Sequence, residues 1–345
     1  MATPRQIGFH VPYNGDEPAA MACTLAGLAS QCGLPASILS NQAHEENIHY
    51  RWDRLVLSSK RTDYGQWHRD CSHLVWFDVQ RAKLEQAMRS GCVNIFVPLW
   101  QRLTPDQLAW LPYFDHVVCS HRAVYNLLKT VTTAATYQPW DTGLPFTGGT
   151  MPSETRRIFV PFDSWTLKNA GGPLLTSLRI LLDGDQDTVL TISYNCNCGP
   201  HAANALAELL RRFPRRVRVL RKPNHAERVE AYLRHDWTFI PSLRENVGLV
   251  AHEALCCRKP VVVFDVPPNR ELLPRDCASF VPCGERCNSL GVPEAVPNMQ
   301  QLADHLRGLV EQPAILQALA QKPWPWLESD RSLNYVKWRQ LWNLI

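Results

Sequence analysis

PSLRENVGLVAHEALCCRKPVVVFDVPPNRELL, residues Pro241 to Leu273, places a strand end, a glycine loop, an apolar helix and a second strand in one short stretch. A strand closes on Pro241-Ser242. A loop follows with Glu245, Asn246 and Gly248, and then a helix over Leu249–Cys257 that carries Glu253. Lys259-Pro260 opens an all-apolar run ending at Asp265. A loop of this kind turns backbone N–H groups toward a helix N-terminus, where the aligned peptide dipoles favour an anion such as phosphate. Gly248 lets the backbone approach a ligand closely. Glu245 lies before the helix and Glu253 within it, so the two acids flank the anion position. Ionised carboxylates only accept hydrogen bonds, which suits them to sugar and ribose hydroxyls.

Outward from this stretch the same alternation continues, as expected of α/β folds with parallel sheets. In the second half, strands are predicted at Arg157–Pro161, Thr188–Tyr194, Val217–Arg221, Trp237–Pro241 and Pro260–Asp265, with a sixth at Ser279–Pro282. Helices are predicted at Pro173–Leu182, Ala202–Arg212, Ala226–His235 and Met299–Glu311, with a last one near Ser332–Leu344. The first half reads likewise: strands at Gln6–Pro12, Ala36–Ser40, His73–Val79, Val93–Leu99, His116–Ser120 and Ala135–Trp140. Its helices fall at Pro18–Gly33, Gln80–Ser90, Thr104–Phe114 and Arg122–Val131. Between the halves, WDTGLPFTGGTMP (Trp140 to Pro152) has the Gly, Pro and Thr content of a linker. The expected organisation is therefore residues 1–148, residues 149–330 and a closing helix over 331–345. The expected fold is two Rossmann-like, doubly wound parallel-sheet domains facing across a cleft, with ligands outside the carboxyl ends of the strands.

Composition narrows the function classes. At 345 residues, 45% hydrophobic and 20% charged, the chain reads as globular rather than disordered. No apolar run approaches the roughly 18 residues of a membrane span, and Met1–Gly8 lacks the apolar core of a signal peptide, so a cytoplasmic protein without integral membrane contact is expected. The twelve cysteines are scattered, often inside apolar runs, and read as buried free thiols; a zinc site from Cys277, Cys283 and Cys287 is the alternative. Seven of the cations fall between Arg211 and Lys222 with no acid among them. Most of that run precedes a strand, at its amino end, and so reads as a solvated face. Arg221 and Lys222 reach the carboxyl end, where Lys222 can flank a donor's base.

In its loop–helix frame the chain resembles the retaining GT-B glycosyltransferases, glycosyltransferase family 4 above all, whose E-x7-E motif sits between Pro-Ser and Pro-Val-Val. Here that frame is Pro241-Ser242, Glu245, Gly248-Leu249, Glu253-Ala254 and Pro260-Val261-Val262. The resemblance implies that Glu245 contacts the transferred sugar and Glu253 the donor ribose. It also implies that the amides of Asn246, Val247, Gly248 and Leu249 hold the diphosphate. The family's phosphate-gripping Arg and Lys fall in Phe162–Lys168. Lys168 fits the Lys position, Ser164 lies on the donor side, and Asp163 stands where the Arg is expected, which leaves Arg244 as a substitute. Lys168 either neutralises the diphosphate or caps a solvated turn.

For the acceptor, Asn14, Gly15 and Asp16 follow the first strand, where the family has a glycine loop. Asp78 ends an apolar strand, either as a base for the acceptor hydroxyl should transfer invert the sugar or as a helix N-cap. His10 reads as a core histidine. Lys60–Arg69, with Trp67 and Arg69, mixes cations and aromatics in what reads as a long loop, suited to phosphates and unstacked bases or to sugars. This chain is similar in that respect to phage GT-B enzymes that glycosylate hydroxymethylated pyrimidines in DNA. A hydroxymethylated DNA base is therefore the leading acceptor, ahead of a saccharide, lipid-linked or small-molecule one. The expected co-substrate is a nucleotide sugar such as UDP-glucose, with no cofactor and no metal. A nucleotide-sugar epimerase and a non-catalytic DNA-binding protein remain open as alternatives.

Overall fold

The computed structural model describes residues 6–11, 17–40, 56–58, 63–77, 79, 81–99, 103–138, 156–195, 198–245 and 247–342. The chain divides into two compact units, Met1–Gly143 with Ser329–Ile345, and Leu144–Glu328. The sequence-based boundaries were 148/149 and 330/331.

The first unit runs β1 (Gln6–Val11), α1 (Glu17–Gln31), β2 (Ala36–Ser40), β3 (Val56–Ser58), α2 (Tyr64–Asp70), β4 (Cys71–Trp76), α3 (Arg81–Met88), β5 (Val93–Phe96), α4 (Pro105–Trp110), β6 (His116–Cys119), α5 (Arg122–Leu128) and β7 (Ala135–Tyr137). Among the described residues seven strands pair in the order β3-β2-β1-β4-β5-β6-β7, every pair parallel. Short apolar strands such as Val93–Phe96 are buried almost throughout, as parallel sheets covered on both faces require. The strand order reverses between β1 and β4.

The second unit runs β8 (Arg157–Phe162), α6 (Ser164–Gly184), β9 (Val189–Tyr194), α7 (Pro200–Arg212), β10 (Val217–Arg221), α8 (His225–Arg234), β11 (Trp237–Phe239), α9 (Leu249–Cys256), β12 (Val261–Phe264), α10 (Pro267–Leu272), β13 (Ala278–Val281), β14 (Gly284–Cys287), β15 (Pro293–Val296), α11 (Met299–Glu311) and α12 (Pro313–Gln321). The division between units falls within α13 (Pro323–Leu341). Six parallel strands pair as β10-β9-β8-β11-β12-β13, with the reversal between β8 and β11. A core of Leu174, Leu178, Leu190, Ile192, Leu206, Phe239 and Phe264 fills one face of this sheet, and Phe159, Ile240, Leu255 and Val263 fill the other. Both units are thus doubly wound α/β sheets, as expected.

Two local readings are corrected. First, α6 begins at Ser164 rather than Pro173. Asp163 caps it by accepting from Thr166 N at 2.8 Å, and a Cβ on Gly171 would lie 2.9 Å from the Cβ of Ala202. Close packing on α7 therefore overrides the helix-weakening Gly171-Gly172-Pro173 run. Second, the segment read as a long loop before β4 contains α2. Asp63 caps it through Gln66 N at 3.1 Å. The antiparallel hairpin β14–β15 has no counterpart among the predicted elements.

Candidate functional site

In doubly wound sheets the loops at the strand-order reversal open outward and leave room for a ligand. In the second unit these are the β8–α6 turn and the β11–α9 loop. They are tied together: Leu243 N donates to Thr166 Oγ1 at 3.3 Å. Ser242 Oγ donates to the Arg244 carbonyl at 2.6 Å and folds the loop on itself.

Gly248 caps α9 in the left-handed conformation, φ 69° and ψ 27°. A Cβ there would meet Leu272 Cδ1 no closer than 3.5 Å, so backbone conformation rather than space requires the glycine. Its N–H donates to Glu245 Oε1 at 3.0 Å. The Glu245 carboxylate thus sits at the N-terminus of α9, on the positive end of the helix dipole. Val247 and Leu249 are buried beside it. At its other end α9 closes with Arg258 at φ 56° and Lys259 N donating to Ala254 O at 2.9 Å, a Schellman closure before Pro260.

Glu253 faces inward from α9. Its side chain is 1% exposed, and Arg228 Nη2 reaches Oε1 at 3.0 Å. Tyr232 Oη donates to Oε2 at 2.8 Å. Burial first, and then the neighbouring Glu253 charge, push the Tyr232 pKa well above 10.0, so its hydroxyl stays a donor. Arg228 and Tyr232 escaped the sequence reading. Their four-residue spacing on a predicted helix, which sets side chains on one face, was the available signal.

Arg244 turns to Glu294 on β15, 2.6 Å from Oε1. Arg286, directly across the hairpin, approaches Oε2 at 3.2 Å. Ala295 N donates to Leu243 O at 3.0 Å, so the hairpin holds the β11–α9 loop by its backbone as well. Arg244 is thus engaged with a buried acid. Lys222 is exposed just beyond β10, with φ 51°. Asn246 and the side chains of Ser164 and Lys168 lie outside the described residues.

In the first unit the reversal lies between β1 and β4. The His10 ring stacks on Trp76 at 4.6 Å, and both are buried. Trp67, read as a stacking platform, is only 4% exposed, and its Nε1 donates to Ser37 Oγ at 2.9 Å. It lies over β1 because Gly8 has no side chain: a Cβ there would come within 2.8 Å of the Trp67 ring. That reading of Trp67 is corrected; the ring is core. Arg69 is exposed and donates to Gln66 Oε1 at 3.1 Å. Asn14, Gly15, Asp16 and Asp78 lie outside the described residues. Of the cysteines read as a zinc alternative, Cys277 is buried and Cys287 exposed; among the described residues no three His, Cys, Asp or Glu side chains group to hold a metal ion. The basic run is partly engaged: Arg212 pairs with Asp183 at 2.7 Å, and Arg216 donates to the carbonyls of Asp185 and Leu182 at the end of α6.

Residues 203–322 match the family described as Glycosyl transferases group 1. The match runs from within α7 to the end of α12 and contains the whole β11–α9 loop. Comparison with curated proteins gives no match. Among solved structures the fold is similar to a glycosyltransferase from Rickettsia africae, with a TM-score of 0.70 at 11% identity over 99% of this chain and 97% of that one. It is similar to sucrose-phosphate synthase from Thermosynechococcus elongatus, 0.65 at 12% over 98% of each chain. The S. aureus MnaA structure with UDP matches at 0.63 and 12% over 99% and 98%. At such identities the likeness speaks for the fold alone. The two doubly wound sheets are those of the GT-B fold, and residues 203–322 carry a match to the group 1 glycosyl transferases. No helix among the described residues is long and apolar enough to cross a membrane.

Proposed function

We propose that this chain transfers a sugar from a nucleoside diphosphate donor to an acceptor hydroxyl, with retention at the anomeric carbon. The observation that carries the reading is the β11–α9 loop at the strand-order reversal, where a left-handed Gly248 starts a helix whose N-terminus already holds a carboxylate. A diphosphate takes the place of that carboxylate on the Gly248 amide and frees Glu245 to meet the transferred sugar. Glu253 accepts the ribose hydroxyls. Lys168, near the start of α6, supplies a point charge to the leaving diphosphate. Positioning and leaving-group electrostatics carry most of the rate, and the acceptor hydroxyl attacks the face from which the diphosphate departs.

A hydroxymethylated pyrimidine in DNA stays the first acceptor to test, although the core position of Trp67 removes the stacking surface that favoured it. The protein is incubated with UDP-glucose and other nucleotide sugars, with hydroxymethylated DNA or saccharide acceptors, and products are read by mass spectrometry. A hexose gain on one acceptor supports transfer and names the acceptor. Donor turned over without any acceptor points to an epimerase. An untouched donor panel overturns the reading.

A further inference from the structure

The Arg228–Tyr232–Glu253 triad has features that a bare ribose contact does not need. Arg228 and Tyr232 both come from α8, which is fixed at its start by a capping box: Asn224 accepts from Glu227 N, and Glu227 from Asn224 N. The two side chains therefore project from an anchored helix and take one oxygen each, at 3.0 Å and 2.8 Å. Tyr232 is fully buried, while the side chains of Arg228 and Glu253 are 12% and 1% exposed. A carboxylate so deeply buried protonates unless a countercharge and donors hold it ionised. A protonated Glu253 would become a donor on one oxygen and lose its match to hydroxyl donors.

We propose that Arg228 and Tyr232 are positioning residues: they hold Glu253 as a charged, oriented hydroxyl acceptor before any donor arrives, and act on donor binding only through it. This rests on the assignment of Glu253 to the donor ribose. The competing role is a plain strut between α8 and α9, which would affect folding but not ribose selection.

The test is a calorimetric double-mutant cycle. UDP, GDP and ADP are titrated into the full chain, and the tightest is carried forward with its 2′-deoxy form. Glu253→Gln is expected to raise Kd by about tenfold or more, the scale of a hydrogen bond to a charged group, and to erase the preference for ribose over deoxyribose. Tyr232→Phe is expected to raise Kd by about fivefold and to lower that preference. Added to Glu253→Gln, it is expected to change Kd by less than about twofold, because residues acting through one group do not add. Arg228→Met is expected to act like Tyr232→Phe or more strongly, and Arg228→Lys to recover part of the loss. If Arg228→Met fails to fold in a melting scan, the Tyr232→Phe arm decides alone.

Two failures are distinct. If no nucleotide binds, or Glu253→Gln changes nothing, the donor reading falls and this inference with it. If Glu253→Gln weakens binding while Tyr232→Phe leaves Kd and the ribose preference unchanged, or its effect multiplies with that of Glu253→Gln, the donor reading stands and the positioning role is overturned.

Discussion

The two places where strand order reverses, β1/β4 in the first unit and β8/β11 in the second, have the same topology and opposite furnishing. At β8/β11 the loop ends on a left-handed glycine, and acids face a helix N-terminus and a half-buried arginine. At β1/β4, His10 stacks on Trp76, and His68 lies 6.2 Å from the same indole. Among the described residues neither nitrogen of the fully buried His68 has a hydrogen-bond partner. One reversal is built from charged side chains, the other from buried rings. Topology marks where a ligand can sit; the side chains placed there decide whether the point is furnished for an anion.

The sharpest way to break this contrast is Glu245→Ala. It is expected to lower transfer by about a thousandfold or more, equivalent to about 4 kcal/mol, while the melting curve changes little. Because it removes a carboxylate from the anion position, UDP should bind at least as tightly as before. Unchanged transfer from a labelled nucleotide sugar would remove Glu245 from the chemistry. Trp67→Ala probes the other side. As a core ring it should cost about 3–5 kcal/mol in denaturant unfolding. A variant of unchanged stability with weakened acceptor binding would restore the stacking role.

The burial of rings at the first reversal has a pH signature. Burial, helped by Lys83, pushes His68 down from 6.5 to about 4. The unfolded chain therefore binds a proton that the folded chain refuses as pH falls from about 6.5 to 4, and stability drops over that window by up to about 3 kcal/mol. His68→Phe should flatten that slope in urea titrations; an unaltered slope would show that His68 does not set it. The smallest expected effect is Gly248→Ala. With room for a methyl group, the cost comes from φ alone, about 1–2 kcal/mol. A neutral result would mean that the loop takes another backbone path.

Much of the second reversal was legible because backbone rules fix it. Glycine takes φ 69° before α9 at least cost, and Pro241-Ser242 and Pro260 bracket the strand ends. Arg228 and Tyr232 were not seen because they lie on a separate helix, and only the fold brings them to Glu253. The Arg286–Glu294 pair was missed although Asn288 and Gly291 signal the turn between its strands. The reading of Lys60–Arg69 failed for a different reason. Residue types say what a side chain can stack on, but the missing side chain at Gly8 decides that Trp67 packs inward.

Amide hydrogen exchange, with and without the nucleotide sugar that binds, tests the central claim most directly. Diphosphate bound at the N-terminus of α9 predicts that peptides spanning residues 243–253 gain the largest protection, and that peptides over β1 and α2 change far less. Protection centred in the first unit, or none at 243–253 on saturation, would contradict it.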